Sequence, residues 1–425
     1  MSDVISFEIV GETAVITFNN PPVNALGHKV RSGIVEALET ANNTSTVKAI
    51  ILIGGGRTFP AGADITEFGG PLLEPGLPAV VNIIENQKLP VIAAIHGTAL
   101  GGGLEIALGA HFRIALNTAK IGLPEVHLGL LPGAGGTQRF PRIAGAKASI
   151  ELMTSGTPIN VDMANKLGVI DRITHDDLLA SALIFSQEII EQKIQIVKTS
   201  ERTDGLIDEK SNKEAIVNAR AALKSKALGL HAPFRIVDCI EMSLTCPLTE
   251  GLQYEREAFI DCLNTPQREG LVHAFFAERK SSKVPESGRA EPRKLSSLGV
   301  IGGGTMGSGI TIAALKSGMH VTMVEQDEES IARGIVNVEK VLNRDMSKGR
   351  LNADGKSEIM SRYTPTTNYE DIADGLIKYL DDKTQQKNSD EYFGINEAFE
   401  GISLLEAISK SDISKSWEPI IKADN

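Results

Sequence analysis

Two carboxylic acids in this chain each stand beside a glycine-rich turn. The first turn reads Leu100-Gly101-Gly102-Gly103-Leu104-Glu105. The second reads Gly122-Leu123-Pro124-Glu125 and continues to Gly129-Leu130-Leu131-Pro132-Gly133-Ala134-Gly135-Gly136-Thr137. Without a Cβ, glycine lets a ligand come close to the backbone, and a carboxyl beside it can exchange protons with that ligand. Two such carboxyls could add a proton and a hydroxide to neighbouring atoms of one substrate. On spacing alone, each glutamate could equally be a surface or capping carboxylate, and the glycines could be tight packing positions. A second constellation is Gly302-x-Gly304-x-x-Gly307 with Glu325 about 20 residues on, the pattern that places a dinucleotide pyrophosphate at a helix start and a carboxylate on a ribose.

The elements that must carry these residues follow from periodicity. Residues 5–11 and 13–19 alternate around a Gly-Glu turn and predict a β-hairpin, and residues 30–41 have helical spacing. Residues 49–53 and 89–95 read as buried strands, each ending at glycine-bearing turns before a helical pattern. This repetition predicts an α/β layered core with functional turns at the strand ends. A strand running into Gly101-Gly102-Gly103, followed by a helix over 104–110, would leave free amides at a helix N-terminus, where negative charge is stabilised. The turn Phe59-Pro60-Ala61-Gly62-Ala63-Asp64 could supply a second amide. Two converging donors would make an oxyanion hole for a thioester or ester carbonyl becoming an enolate.

Helices are predicted over 161–167 and 177–194. The region 209–280 is helical and rich in charge, with Leu252, Phe259 and Leu263 on one face and Glu255, Arg256 and Glu257 on the other. Residues 281–294 form a polar Pro/Gly/Ser-bearing linker. The pattern then restarts with a strand over 298–301, the glycine turn, a helix over 308–316 and a strand over 320–324 that leads to Glu325. Residues 396–408 have a helix-like pattern, which a fortuitous amphipathic stretch would also give.

Composition bounds the function. The chain has 425 residues, is 42% hydrophobic and 23% charged, and carries a net charge of -11. Its length suggests two or three domains. Its charge argues against a generic nucleic-acid-binding surface, although a local basic patch for a phosphate is compatible with it. Cys239, Cys246 and Cys262 lack metal spacing and are expected to be buried free thiols in a reducing compartment; no metal is expected. The N-terminus lacks a signal-peptide pattern, and the apolar stretch 89–110 is interrupted by His96, glycines and Glu105, so secretion and a membrane span are not expected. The last residues are not a peroxisomal address. His96 and His111 are expected to be satisfied core or surface histidines; His127, close to Glu125, could tune it. No Gly-x-Ser-x-Gly elbow supports serine-hydrolase chemistry.

Residues 1 to about 190 resemble the crotonase (enoyl-CoA hydratase/isomerase) family. The resemblance runs in order through Asn20-Pro21-Pro22-Val23-Asn24-Ala25, Phe59-Pro60-Ala61-Gly62-Ala63-Asp64-Ile65, Ala99-Leu100-Gly101-Gly102-Gly103-Leu104-Glu105, Leu123-Pro124-Glu125, Pro132-Gly133-Ala134-Gly135-Gly136-Thr137-Gln138-Arg139 and Leu167-Gly168-Val169-Ile170-Asp171. It implies an α/β fold, a spiral of ββα units that binds acyl-CoA as substrate. By match, the amides of Ala63 and Gly102 hold the thioester oxygen, and Ala61, Asp64 and Ile65 contact CoA. Glu105 matches the carboxylate that activates water for attack at C3, and Glu125 the acid that protonates C2. Both acids are kept, which favours syn-hydration of a trans-2-enoyl-CoA, with Δ3–Δ2 isomerisation through Glu125 as a side activity.

The later region resembles the start of an L-3-hydroxyacyl-CoA dehydrogenase domain, a partial Rossmann domain that binds NAD. Gly302, Gly304, Thr305, Met306 and Gly307 would face the pyrophosphate and Glu325 the ribose. The order of hydratase, helical linker and Rossmann start is similar to the multifunctional enzymes of fatty-acid β-oxidation. The expected organisation is a hydratase domain over 1–190, helices over 191–294, the start of the dehydrogenase domain over 295–374 and a divergent tail over 375–425. That tail has no recognised counterpart of the dehydrogenase's His–Glu pair, so the expectation is hydratase activity without dehydrogenase activity. The rivals are a fully bifunctional enzyme and a non-catalytic partner subunit. Oligomeric state is not legible, a monomer being one option. The compartment implied is the peroxisome for a eukaryotic source and the cytoplasm for a bacterial one.

Overall fold

The structure is a computed structural model that describes residues 3–67, 70, 73–227, 229–281, 295–347 and 351–372. The chain divides into two compact units, residues 1–285 and 286–425, each described by itself.

The first unit opens on the expected hairpin, β1 (Ile5–Val10) and β2 (Thr13–Phe18), antiparallel with Ile5 opposite Phe18. Helix α1 (His28–Asn42) leads to β3 (Ala49–Gly54), and α2 (Leu77–Glu85) to β4 (Val91–Ile95). The chain then leaves the main sheet through β5 (Thr98–Leu100) and enters α3 (Gly102–Gly109). Strands β6 (Phe112–Leu116) and β7 (Lys120–Gly122) follow. Next come a 3-10 turn (Glu125–Leu128) and the long α4 (Gly136–Ser155), which is kinked at Gly145. The ββα pattern closes with β8 (Ile159–Asn160), α5 (Val161–Lys166), β9 (Arg172–Thr174) and α6 (Leu178–Glu191).

The main sheet has the order β1-β2-β3-β4-β6-β9, parallel beyond the hairpin, and β5-β7-β8 form a smaller sheet. Strand β3 is buried on both faces. Ile50 and Leu52 face the main core, while Ile51 and Ile53 pack toward Phe185 and Ile189 of α6. Burial on both sides explains why the strand reads as a continuous apolar run rather than an alternation.

Four helices complete this unit: α7 (Glu209–Lys226), α8 (Ala232–Thr245), α9 (Leu248–Leu263) and α10 (Pro266–Ser281). Helices α8 and α9 contribute Ile236, Ile240, Ala258 and Cys262 to the same core as the sheet. Cys239 and Cys262 are buried free thiols, and Cys246 is half-buried. Here the expected face of α9 is corrected: the buried side is Gly251, Glu255, Ala258 and Cys262, so Glu255 points inward rather than to solvent.

In the second unit, β10 (Ser297–Ile301), α11 (Thr305–Lys316), β11 (His320–Val324), α12 (Glu328–Ser347), α13 (Ala353–Met360) and β12 (Tyr363–Thr366) form a parallel β10-β11-β12 sheet with helices. Its core gathers Val300, Leu315, Met323, Val338 and Leu342. Most of the linker (282–294) and the helix-like stretch 396–408 lie outside the described residues.

Candidate active site

The turns that follow β3 and β5 meet at the N-terminus of α3. Two interactions hold the first of them. Asn24 Nδ2 donates to the carbonyls of Gly55 and Thr58 at 2.9 and 2.8 Å, and the Thr58 hydroxyl donates to Thr98 O at 2.8 Å. Leu26 N donates to Gly62 O at 3.0 Å in an isolated bridge that steadies Ala63. A Cβ on Gly102 would lie 3.3 Å from Ala63 N, so the turn that carries Ala63 packs against the start of α3. Among the described residues no hydrogen bond from either amide is formed. Ala61 N is committed to Val23 O at 3.1 Å, and Asp64 and Ile65 continue the same turn.

Glu105 lies in the first turn of α3 and is 2% exposed. Its Oε1 accepts from the amides of Ala134 and Gly136 at 2.7 and 2.8 Å. Burial raises its pKa to about 7, while those two amides and the Arg139 charge oppose the rise. Glu125 opens the 3-10 turn, with Oε1 lying 3.0 Å from where a Cβ on Gly101 would be. Its Oε2 is buried and has no hydrogen-bond partner among the described residues. Burial, and then the like charge of Glu105, push its pKa well above the usual carboxylate range. The two acids therefore differ for a stated reason: one carboxylate receives two amide donors, and the other has a bare oxygen.

A third carboxyl joins them. Glu255 of α9 is 1% exposed and accepts from Gly135 N at 2.6 Å, Thr137 N at 3.0 Å and the Thr137 hydroxyl at 2.5 Å. Burial and Glu105 raise its pKa to about 8. Four consecutive amides at the start of α4 thus alternate between two carboxyls. The charge-rich stretch 209–280 concealed this residue. The signal available was the spacing of Gly251, Glu255, Ala258 and Cys262, one helical face of small residues around a single acid.

Arg139, 1% exposed, underlies the loop. Its Nη2 donates to Glu85 Oε2 and to Asn82 Oδ1, each at 2.7 Å. Glu85 also accepts from Ser200 N, and His111 Nε2 donates to the Glu85 carbonyl while Nδ1 accepts from Val91 N. His111 is thus a satisfied core histidine, and burial lowers its pKa. Arg139→Met should leave Glu85 buried and unpaired, at a cost of roughly 3–5 kcal/mol by urea unfolding; adding Glu85→Gln should recover most of it. His96 Nε2 bonds Gly56 O at 3.1 Å. His127 is exposed, and its ring lies over Gly156, where a Cβ would come within 2.5 Å of Nε2.

In the second unit the glycine turn has three distinct parts. Gly302 has φ +88°, and its amide donates to Val324 O at 2.8 Å. A Cβ on Gly307 would lie 1.7 Å from Gly302 O, so this glycine lets α11 sit against the turn. Gly304 has open space around its missing Cβ, and Gly304, Thr305 and Met306 are exposed at the start of α11. Glu325, just after β11, accepts from Gly303 N at 2.5 Å. An open turn, a helix N-terminus and an adjacent carboxylate fit a dinucleotide. Among the described residues no group of His, Cys, Asp and Glu could hold a metal ion.

Residues 8–226 match the enoyl-CoA hydratase/isomerase family profile. The chain belongs to the enoyl-CoA hydratase/isomerase family. Residues 297–381 match the NAD-binding domain of 3-hydroxyacyl-CoA dehydrogenase. The chain is 37% identical over 360 residues to the peroxisomal bifunctional enzyme of Danio rerio, covering 82% of this chain and 49% of that protein. It is 35% identical over 372 residues to a peroxisomal fatty acid beta-oxidation multifunctional protein of Arabidopsis thaliana, covering 85% and 52%. The chain thus spans about half the length of these curated relatives. A solved carnitinyl-CoA hydratase from Mycobacterium avium is similar at 26% identity and a TM-score of 0.48, covering 65% of this chain and 97% of that one. No helix among its described residues is long and apolar enough to cross a membrane.

Proposed function

We propose that this chain catalyses syn-hydration of a trans-2-enoyl-CoA to an L-3-hydroxyacyl-CoA. The observation that carries the reading is the unequal pair of buried carboxyls beside two unused amides: Glu105 held by two donors, Glu125 with an unpartnered oxygen.

The amides of Ala63 and Gly102 receive the thioester oxygen, with Ala61, Asp64 and Ile65 along the CoA moiety. Glu105, ionised, takes a proton from water as its oxygen bonds to C3. The electron pair displaced from the C2–C3 double bond runs onto the thioester oxygen, where the two amides hold the enolate. Glu125, protonated, returns a proton to C2 as the carbonyl re-forms. The unpartnered oxygen of Glu125 also favours a second reading, proton transfer between C2 and C4 as a Δ3–Δ2 isomerase. A pair of acids whose environments separate their proton affinities is what such a division of labour requires.

In the second unit, Gly302, Gly304, Thr305, Met306 and Gly307 are proposed to hold the NAD pyrophosphate, and Glu325 a ribose hydroxyl. NAD, when bound, supplies a hydride acceptor for a 3-hydroxyacyl-CoA, the product of the first site. The helices after residue 190 are proposed to serve the hydratase, and the dehydrogenase portion to begin near 295. The compartment proposed is the peroxisome for a eukaryotic source, as in the names of its relatives, and the cytoplasm for a bacterial one.

The test follows two wavelengths at once on purified protein with a trans-2-enoyl-CoA and NAD. Loss of the conjugated thioester is expected. NADH is not expected from these 425 residues, because no dehydrogenase His–Glu pair is recognised over 375–425. Persistence of the enoyl absorbance would remove the hydratase reading; NADH would place the missing pair within this chain.

A further inference from the structure

Glu255 is a deeply buried acid set directly against the loop that holds Glu105, and the hydration steps leave it unused. It comes from α9, beyond residue 226 where the hydratase/isomerase profile ends. We propose that Glu255 is a positioning residue for hydration: it holds the amides of Gly135 and Thr137, and so fixes those of Ala134 and Gly136 on the Glu105 carboxylate. The inference rests on Glu105 being the base.

The geometry is interlocked. Donors alternate along one short stretch of backbone, Ala134 and Gly136 to Glu105, Gly135 and Thr137 to Glu255. Neither carboxyl can shift without turning peptides that the other holds. The helix sits hard against this loop. A Cβ on Gly133 would lie 2.5 Å from the Phe259 ring, and one on Gly251 would lie 2.0 Å from Gln138 Oε1. Gln138 Nε2 in turn donates to the Thr137 hydroxyl at 3.0 Å and to Cys239 O at 2.8 Å, tying the loop to α8.

A helix that only covered the loop would do so with an apolar side chain at 255. Burying a carboxyl is costly unless its hydrogen bonds are used. Glu255 faces Glu105, Glu125 and Arg139 across the loop and Cys239 on α8. With Glu105 near pH 7 and Glu255 near pH 8, the two titrate as a pair. The amides of Ala134 and Gly136 hold the proton affinity of Glu105 down, so a loop loosened by the loss of Glu255 takes donors from Glu105 and keeps it protonated to higher pH.

The test compares Glu255→Gln, Thr137→Val and Glu125→Gln in the full chain with a trans-2-enoyl-CoA. Glu255→Gln should lose about tenfold or more in kcat with KM within about threefold, because Gln keeps the shape but loses an acceptor. Its acid limb in the kcat profile should move to higher pH by about half a unit or more, as Glu105 loses the donors that favour its ionised form. Thr137→Val keeps the carboxyl and both amides and drops the hydroxyl, with its bond to Glu255 and the acceptor it offers Gln138 Nε2. Glu255 then grips the loop through two donors instead of three, so the limb should move the same way by less. An unmoved acid limb in Glu255→Gln overturns the proposal, whatever happens to Tm, because it marks packing alone. If Glu255→Gln does not fold, an unmoved limb in Thr137→Val does the same. Wild-type turnover by Glu125→Gln would instead sink the hydratase reading, while its loss beside a normal Glu255→Gln would remove only the positioning role.

Discussion

Glu125→Gln should abolish most hydration, lowering kcat by about 10²–10⁴-fold while KM changes little. Burial and the neighbouring Glu105 favour the protonated form of Glu125, and glutamine reproduces the size and neutrality of that form while removing its transferable proton. The thermal unfolding transition should therefore stay close to that of the parent. The pH profile supplies a second check. In the proposed mechanism Glu105 works only when ionised, so the rate should rise as pH passes about 7. Glu125 works only when protonated, so the rate falls once pH exceeds its own raised pKa. The two limbs belong to the coupled acids together. Glu125→Gln should remove the alkaline limb from whatever activity remains, and Glu105→Gln the acid limb. A parent-like rate in Glu125→Gln would exclude the proposed mechanism.

Gly103→Ala should damage both fold and turnover. A Cβ there would lie 1.7 Å from Pro60 O and 2.6 Å from Pro60 C, and backbone cannot swing aside as a side-chain tip can. Pro60 O also accepts from Leu100 N, so the collision drives apart the two turns that carry the Ala63 and Gly102 amides. Overpacking of this kind costs about 1–3 kcal/mol, and losing one aligned oxyanion donor costs about 10²–10³ in kcat. Urea unfolding and steady-state hydration read the two effects separately. Gly270→Ala on α10, where nothing lies within 4 Å of the added carbon, is the control and should be nearly silent in both. If Gly103→Ala hydrates like the parent, the amide pair is not where the reaction happens.

Local chemistry made much of this protein legible from its residues. The hairpin, the buried strands at 49–53 and 89–95 and the glycine turns after them depend on contacts within a few residues, and each appears where periodicity put it. The strand–turn–helix–strand run ending at Glu325 is equally local. Placing Glu105 and Glu125 beside their turns needed no tertiary information. What the fold alone decided is how each acid is solvated. Glu105 meets amides some thirty positions away, and Glu255 meets the same loop from a helix more than a hundred positions on. Pattern reading put Glu255 outside because charge usually marks a solvated face. It lies inside because small neighbours at 251, 258 and 262 let the helix approach the α4 N-terminus, whose amides repay desolvation. His127, close to Glu125 in sequence, has its ring against Gly156, a contact no local pattern indicates. Residue types and their spacing determined which groups are present to move protons. Long-range packing decided what each acid meets, two amides for Glu105, a buried oxygen without a partner among the described residues for Glu125 and the intervening amides for Glu255, because a carboxyl's proton affinity is set by the donors and charges the fold brings to it.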